Sequence, residues 1–289
     1  MYLIMGITGN VGGAAARHLL QQGKQVRALV RDKGKAASWA HAGVELIEGA
    51  WEDVEAMSIA LQDVEGVYLM MPPVLAPSRD FREAKAVITS MAEALHAKLP
   101  AKVVALSSIG AEQESGLGAA YAVRLLEQSL NDMPFPVAFV RAGAFFENLL
   151  YGLQTGKNGE LPVFYSPTSR QIPMVASEDM GTEVAELLMS EWQDRVCIEL
   201  GSMLSPDDAA QQIGEVLGHE VKAKAIPRDS WAEALTQTGI PAESLWAYED
   251  MLDSMNSGVI GFGTGQVQRK AGKTPLKQFF LAARTENKD

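Results

Sequence analysis

Gly6, Gly9 and Gly12 stand between an apolar run, Tyr2 to Met5, and the helix-forming stretch Ala14-Ala-Ala-Arg-His-Leu-Leu20. A strand that delivers a Gly-rich turn to a helix N-terminus leaves backbone N–H groups unpaired and aimed at an anion. The missing side chains let a pyrophosphate approach the backbone and let helix and strand pack closely. The order of strand, turn and helix therefore points to a dinucleotide site. A second group sharpens this. The next strand pattern ends in Val30-Arg-Asp-Lys-Gly-Lys35. An NAD site offers an acid at this place for the ribose 2′-hydroxyl. Here Arg31, with Lys33 and Lys35 close behind, suits a 2′-phosphate by charge and by bidentate geometry. The expected cofactor is NADP(H), and Asp32 is the residue that argues for NAD.

These groups need a scaffold that brings strand ends together, and the first half of the chain supplies one. Strand patterns at 2–6, 25–30, 44–47, 66–71, 102–106 and 137–140 alternate with helical patterns near 11–22, 34–41, 53–61, 79–97 and 117–130. That alternation specifies an α/β protein with a doubly wound parallel sheet. The near-continuous apolar strands suit a sheet covered on both faces. Past residue 143 the regularity loosens. Short strands are expected at 162–165 and 171–175, and a seventh sheet strand at 196–200. Ser177 is a candidate N-cap, Ser205-Pro206 a second helix start, and 228–256 a helical lobe. From about 284 the tail is charged and expected to fray. The expected division is a dinucleotide-binding domain at 1–150 and a smaller, mostly helical substrate lobe at 151–289 that shares the sheet edge.

Composition excludes several classes. The 289 residues carry a net charge of −11, which argues against nucleic acid and anionic membranes as partners. No run reaches the roughly 18 apolar residues of a membrane span. The strand pattern that begins at residue 2 leaves no room for a signal peptide. Cys197, the one cysteine, lies in an apolar strand-like run and reads as a small buried hydrophobe, which fits a reducing cytoplasm. The four histidines form no metal-ligand spacing, so no metal is expected. A monomer or homodimer is expected.

Six segments together are more specific than any one of them. Gly6-Ile-Thr-Gly-Asn-Val-Gly12, Val26-Arg-Ala-Leu-Val-Arg-Asp32, Gly43-Val-Glu45, Leu69-Met-Met-Pro-Pro73, Leu106-Ser-Ser-Ile-Gly110 and Val140-Arg-Ala-Gly-Ala-Phe-Phe-Glu-Asn148 resemble the NmrA-like group of atypical short-chain dehydrogenases/reductases, which have a Rossmann sheet. That group includes NADPH-dependent quinone reductases, azo- and triphenylmethane-dye reductases, and redox sensors without turnover. The resemblance implies that Gly6, Thr8, Gly9, Asn10, Val11 and Gly12 cradle the pyrophosphate and that Arg31, with Lys35 nearby, meets the 2′-phosphate. It places Met70, Met71 and Pro72 along the adenosine and ribose, and Ser107 and Ser108 at the nicotinamide.

Two departures bear on chemistry. Where related chains carry Gly-Asp after the third strand, this one has Gly49-Ala-Trp51, so adenine either rests on Trp51 or lacks that contact. Short-chain dehydrogenases generally pair a serine with Tyr-x-x-x-Lys. Tyr121 follows Ser108 at the familiar distance, but Leu125 occupies the lysine's place. The lysine's charge helps the tyrosine give up its proton and holds the ribose. Arg124 is one candidate substitute and a solvated helix residue is the other reading. Catalysis by Tyr121 and Ser108 on an unactivated ketone is therefore not expected. A quinone needs less help, because hydride addition gives an aromatic hydroquinone anion of phenol-like basicity, near about 10 in pKa, which water can protonate. Phe145, Phe146, Asn148 and Tyr151, after the sixth strand, are the candidate acceptor pocket. The sequence thus favours an NADPH-dependent reductase of quinones or similar electrophiles. An NADP(H)-binding sensor stands as the alternative, and a sugar-nucleotide epimerase or reductase as a further one.

Overall fold

The computed structural model describes residues 1–286. The first half alternates as expected: β1 (Tyr2–Met5), α1 (Asn10–Gln21), β2 (Val26–Val30), α2 (Ala37–His41), β3 (Glu45–Glu48), α3 (Val54–Ala60), β4 (Gly66–Leu69), α4 (Arg82–Lys98), β5 (Val103–Ser108), α5 (Tyr121–Leu130) and β6 (Val137–Ala142). The second half adds β7 (Ala144–Phe145), α6 (Gly152–Thr155), β8 (Glu160–Val163), β9 (Ile172–Val175), α7 (Ser177–Met189), β10 (Arg195–Leu200), β11 (Ser202–Leu204), α8 (Pro206–Leu217), β12 (Lys222–Ala225), α9 (Trp231–Gln237), α10 (Leu245–Ser257), β13 (Gln268–Lys270) and α11 (Leu276–Glu286).

Eight strands form one sheet in the order β13-β10-β6-β5-β4-β1-β2-β3, with every neighbouring pair parallel. Successive side chains of a strand face opposite sides, and β1 illustrates the consequence. Tyr2 and Ile4 join a core under α1 and α7, while Leu3 and Met5 join a second core under α3, α4 and α5. Both sets are buried, so the strand reads as a continuous apolar run. Each such side chain contributes roughly 1.5–3 kcal/mol by leaving water.

The position of α1 is set by a crossing of small residues. A Cβ on Gly181 of α7 would fall 2.3 Å from the Ala14 Cβ and 2.7 Å from the Ala15 nitrogen. α7 therefore lies directly on α1, just past its N-terminal turn. A third core gathers residues of α8, α11, β8 and β9 with Phe146 and Leu149, and a fourth lies between α9 and α10.

Several elements differ from the expectation. The sheet has eight strands rather than six or seven. The eighth, Gln268-Arg-Lys270, is exposed throughout and has no apolar pattern to reveal it. Ser177 is the first helical residue of α7 and Ala176 the N-cap; the Ser177 hydroxyl donates to Glu147 instead of capping its own helix. Ser205 does cap α8, in a reciprocal box with Asp208 and with Pro206 at the first helical position. The charged tail is helical through Glu286, and residues 287–289, also part of the tail expected to fray, lie outside the described residues.

Candidate functional site

The glycine turn begins at Gly6, whose φ of +62° is open to glycine and strained for other residues. The Gly9 N–H closes the turn on the Gly6 carbonyl at 2.9 Å, and Gly9 is the extended N-cap of α1. The first intrahelical bond runs from the Gly13 N–H to the Gly9 carbonyl. The amides of Asn10, Val11 and Gly12 thus have no partner within the helix. No side chain caps this end and no acid sits in the first turn, so these amides have no side-chain partner on their own helix. Gly12 is required for packing: a Cβ there would lie 2.4 Å from the Gly6 carbonyl oxygen. Met70, at the end of β4, covers the turn with its sulfur 2.4 Å from where a Gly6 Cβ would stand.

A cleft of about 710 Å³ opens against this turn. Ile7, Thr8, Gly9 and Asn10 line it together with Thr274, Gln278 and Phe279. Glu147 also lines it, a residue that sequence reasoning passed over. Its carboxylate accepts the Ser177 N–H at 3.1 Å and the Ser177 hydroxyl, so the N-terminus of α7 compensates its charge.

At the end of β2, Arg31 and Lys35 are exposed, and Arg31 has no hydrogen-bond or ion-pair partner among the described residues. Asp32 is engaged locally. One of its oxygens accepts the Gly34 N–H at 2.8 Å and the Lys35 N–H at 3.2 Å, which fixes the turn that presents the basic residues. Trp51 is half-buried against the second core.

The ends of β5 and β6 separate the two candidate serines. Ser107 is paired in register with Arg141 and is 3% exposed. Its hydroxyl donates to Glu127 of α5 at 2.6 Å, on the side away from α1. Glu127 also holds Arg141 through two bonds of 2.9 and 2.8 Å, and Arg141 reaches Glu112 at 2.6 Å. Glu199 of β10, fully buried, accepts the Gly263 N–H at 2.9 Å and lies 3.8 Å from Arg141. The Ser107 hydroxyl is thus part of a buried charge network. Ser108 is half-buried and its hydroxyl donates to the Ile109 carbonyl at 3.1 Å.

Tyr121 opens α5 and makes no hydrogen bond to Ser108 among the described residues. Its ring packs on Phe81 at a centroid distance of 5.0 Å, and Phe81 meets Trp246 of α10 at 5.9 Å. Phe81 holds a φ of +54°, a strained conformation for an aromatic residue. Leu125 packs on the second core where a short-chain dehydrogenase lysine would stand. Arg124 is neither a substitute nor a solvated residue: it donates to the Ala111 carbonyl at 3.1 Å and lines a separate cavity with Arg141, Arg195 and Cys197. Burial pushes the half-buried Cys197 thiol up to about 11, against the pull of Arg141.

The four residues after β6 scatter. Phe145 packs half-buried on the first core. Phe146 is 2% exposed in the third core, its ring 5.6 Å from that of Phe279, so it is packing rather than pocket lining. Asn148 is exposed. Tyr151 donates its hydroxyl to the Pro162 carbonyl at 2.5 Å, and desolvation raises its phenol to about 12.

A profile described as the NmrA-like family matches residues 2–271. The chain belongs to the NmrA-like family. An NAD(P)H azoreductase from Xenophilus azovorans is 26% identical over 261 residues, covering 89% of this chain and 85% of the relative. Triphenylmethane reductase from Citrobacter sp., solved with NADP(H), superposes with a TM-score of 0.79 at 22% identity, covering 98% of this chain and 100% of that one. An NADPH-dependent quinone oxidoreductase from Escherichia coli, solved with NADPH, gives 0.77 at 21% identity over 99% and 100%. At these identities the two structures establish the shared fold.

Within this NmrA-like fold the chemistry available is anion binding at α1, with exposed basic groups at the end of β2 and an aromatic wall around Tyr121. Among the described residues no cluster of three His, Cys, Asp or Glu could hold a metal ion, and no helix is long and apolar enough to cross a membrane.

Proposed function

We propose that this chain is an NADPH-dependent reductase that passes hydride to a quinone or a similar small electrophilic acceptor. The observation that carries the reading is the contrast between its two ends. The amides of α1 and the unpaired Arg31 are ready for a phosphorylated dinucleotide, whereas Tyr121 lacks both a lysine and a bond to Ser108. NADPH, when bound, supplies the hydride. The chain's own work is positional. The Asn10, Val11 and Gly12 amides hold the pyrophosphate, Arg31 pairs with the 2′-phosphate, and Met70 closes on the turn. Holding two reactants together in a dry site supplies most of the acceleration that such a transfer needs. The names of the azoreductase, quinone oxidoreductase and triphenylmethane reductase relatives agree with this acceptor class.

NADPH oxidation measured against a panel of quinones and azo dyes tests the proposal; failure of every acceptor to support turnover rejects it. The unpartnered Tyr121 also fits an NADP(H) sensor without turnover. That second reading requires unequal affinity for the oxidised and reduced cofactor, and equal affinities measured by calorimetry would reject it.

A further inference from the structure

The last stretch of the chain, from residue 272, lies beyond the span that the family profile matches, which ends at 271. It nevertheless contributes to the lining of the cleft that opens against the glycine turn. Thr274, Gln278 and Phe279 share its lining with Thr8, Gly9 and Asn10.

The segment is fastened at several points. The backbone N–H and hydroxyl of Thr274 donate to Asp179 of α7 at 2.9 and 2.8 Å. Lys270 and Lys273 pair with Glu183 and Glu186 of the same helix, at 2.6 and 3.3 Å. Asp179, Glu183 and Glu186 recur at the spacing of one helix face, so α7 presents an acidic stripe to the incoming segment. Lys277 pairs with Glu215 of α8 at 2.6 Å. On the other face of α11, Leu276 and Phe280 are buried in the third core. α7 lies on α1 through Gly181, so the turn and the segment are both registered on one helix.

Gln278 is the exception to this fastening. Its neighbours Leu276, Lys277 and Phe280 are engaged, yet its exposed carboxamide has no partner among the described residues while lining the cleft. Ala282, one turn on, leaves space beside it. A carboxamide offers two donors and an acceptor, which matches phosphate oxygens and ribose hydroxyls.

We infer that residues 272–286 are a strap over the dinucleotide, and that Gln278 hydrogen-bonds its phosphate–ribose backbone. The inference rests on the cleft being the dinucleotide site. Two measurements test it with NADPH as the probe, neither requiring turnover. NADPH affinity, by calorimetry, should fall about tenfold in Gln278→Ala, the loss of a hydrogen bond to a charged group. Gln278→Glu should bind more weakly still, because a carboxylate would face phosphate. Tryptic cleavage after Lys273 and Lys277 should slow when NADPH is present. If the unaltered chain fails to bind NADPH, the dinucleotide reading itself fails and the strap falls with it. If the unaltered chain binds, but both variants bind equally well and cleavage at the two lysines is indifferent to NADPH, the strap inference alone is overturned.

Discussion

Arg31 carries the choice between the two nicotinamide cofactors, because its guanidinium is exposed and unpaired while Asp32 is spent on its own turn. Arg31→Ala should weaken NADPH binding by about ten- to a hundredfold, the range of a charge-assisted bond, and leave NADH nearly unchanged. Fluorescence titration with both cofactors would show it; equal losses for both would remove Arg31 from the 2′-phosphate. Gly12 tolerates no side chain, since a methyl would sit 2.4 Å from the Gly6 carbonyl oxygen. Gly12→Ala should cost about 1–3 kcal/mol of overpacking and abolish cofactor binding, read as a lower melting temperature that NADPH no longer raises. Tyr121→Phe is the opposite case. A residue used in general acid–base catalysis contributes roughly a hundredfold or more, and with Leu125 in the lysine's place the variant should keep turnover of a quinone within about threefold. A hundredfold loss would make Tyr121 the proton donor after all. The distinction between Ser107 and Ser108 was not legible in the chain. Two adjacent serines look alike until the strand's register sends one to Glu127 and the other to the opposite face.

Among the elements, five of the first six strands were legible because burial on both faces makes them near-continuous apolar runs, whereas β3, half-exposed at the sheet edge, showed only the pair Leu46-Ile47. β13 and α11 were not, for different reasons. β13 is a polar, exposed strand held at the sheet edge by pairing to β10. α11 carries its apolar residues in one short cluster beside a charged tail, which reads equally well as fraying. The charge network that joins β5, α5, β6 and β10 was hidden as well, since Glu127, Arg141 and Glu199 come from separate elements. Its energetics are testable. Arg141→Met removes the cation shared by Glu112, Glu127 and Glu199, and breaking a buried pair costs about 3–5 kcal/mol. Urea unfolding should show that loss, and an unchanged midpoint would make the network ornamental. The α8 capping box offers a pH signature. Bonds from the Ser205 hydroxyl and N–H hold the Asp208 carboxyl below its ordinary value of 3.8. A carboxyl lowered on folding stabilises above its unfolded pKa, and that stability fades as the pH falls through the folded one. The stability gap between the unaltered chain and Asp208→Asn should therefore be constant near neutrality and close below pH about 4.

At the scale of the molecule, the sheet gathers the ends of β1, β2 and β4 at one edge, and the polar residues of the glycine turn and Arg31 lie there. The net charge of −11 leaves this basic edge as a local exception on an acidic surface. The glycine turn was legible because a strand–turn–helix junction of this kind needs a fixed local sequence. The aromatic cluster around Tyr121 was not, because Phe81, Tyr121 and Trp246 meet from segments far apart in the chain, while Phe146, next to the motif, went into a core. The one cysteine adds a global control. With its thiol raised to about 11 by burial, Cys197 should react only slowly with iodoacetamide at pH 7.5, and activity should survive the reagent. Hydride transfer to a conjugated acceptor without a Tyr–Lys pair is read by steady-state loss of reduced-nicotinamide absorbance with menadione. Saturable turnover in both substrates is expected, retained in Tyr121→Phe and diminished in Arg31→Ala. Tight NADPH binding with no turnover of menadione or of any other quinone or azo dye would contradict it.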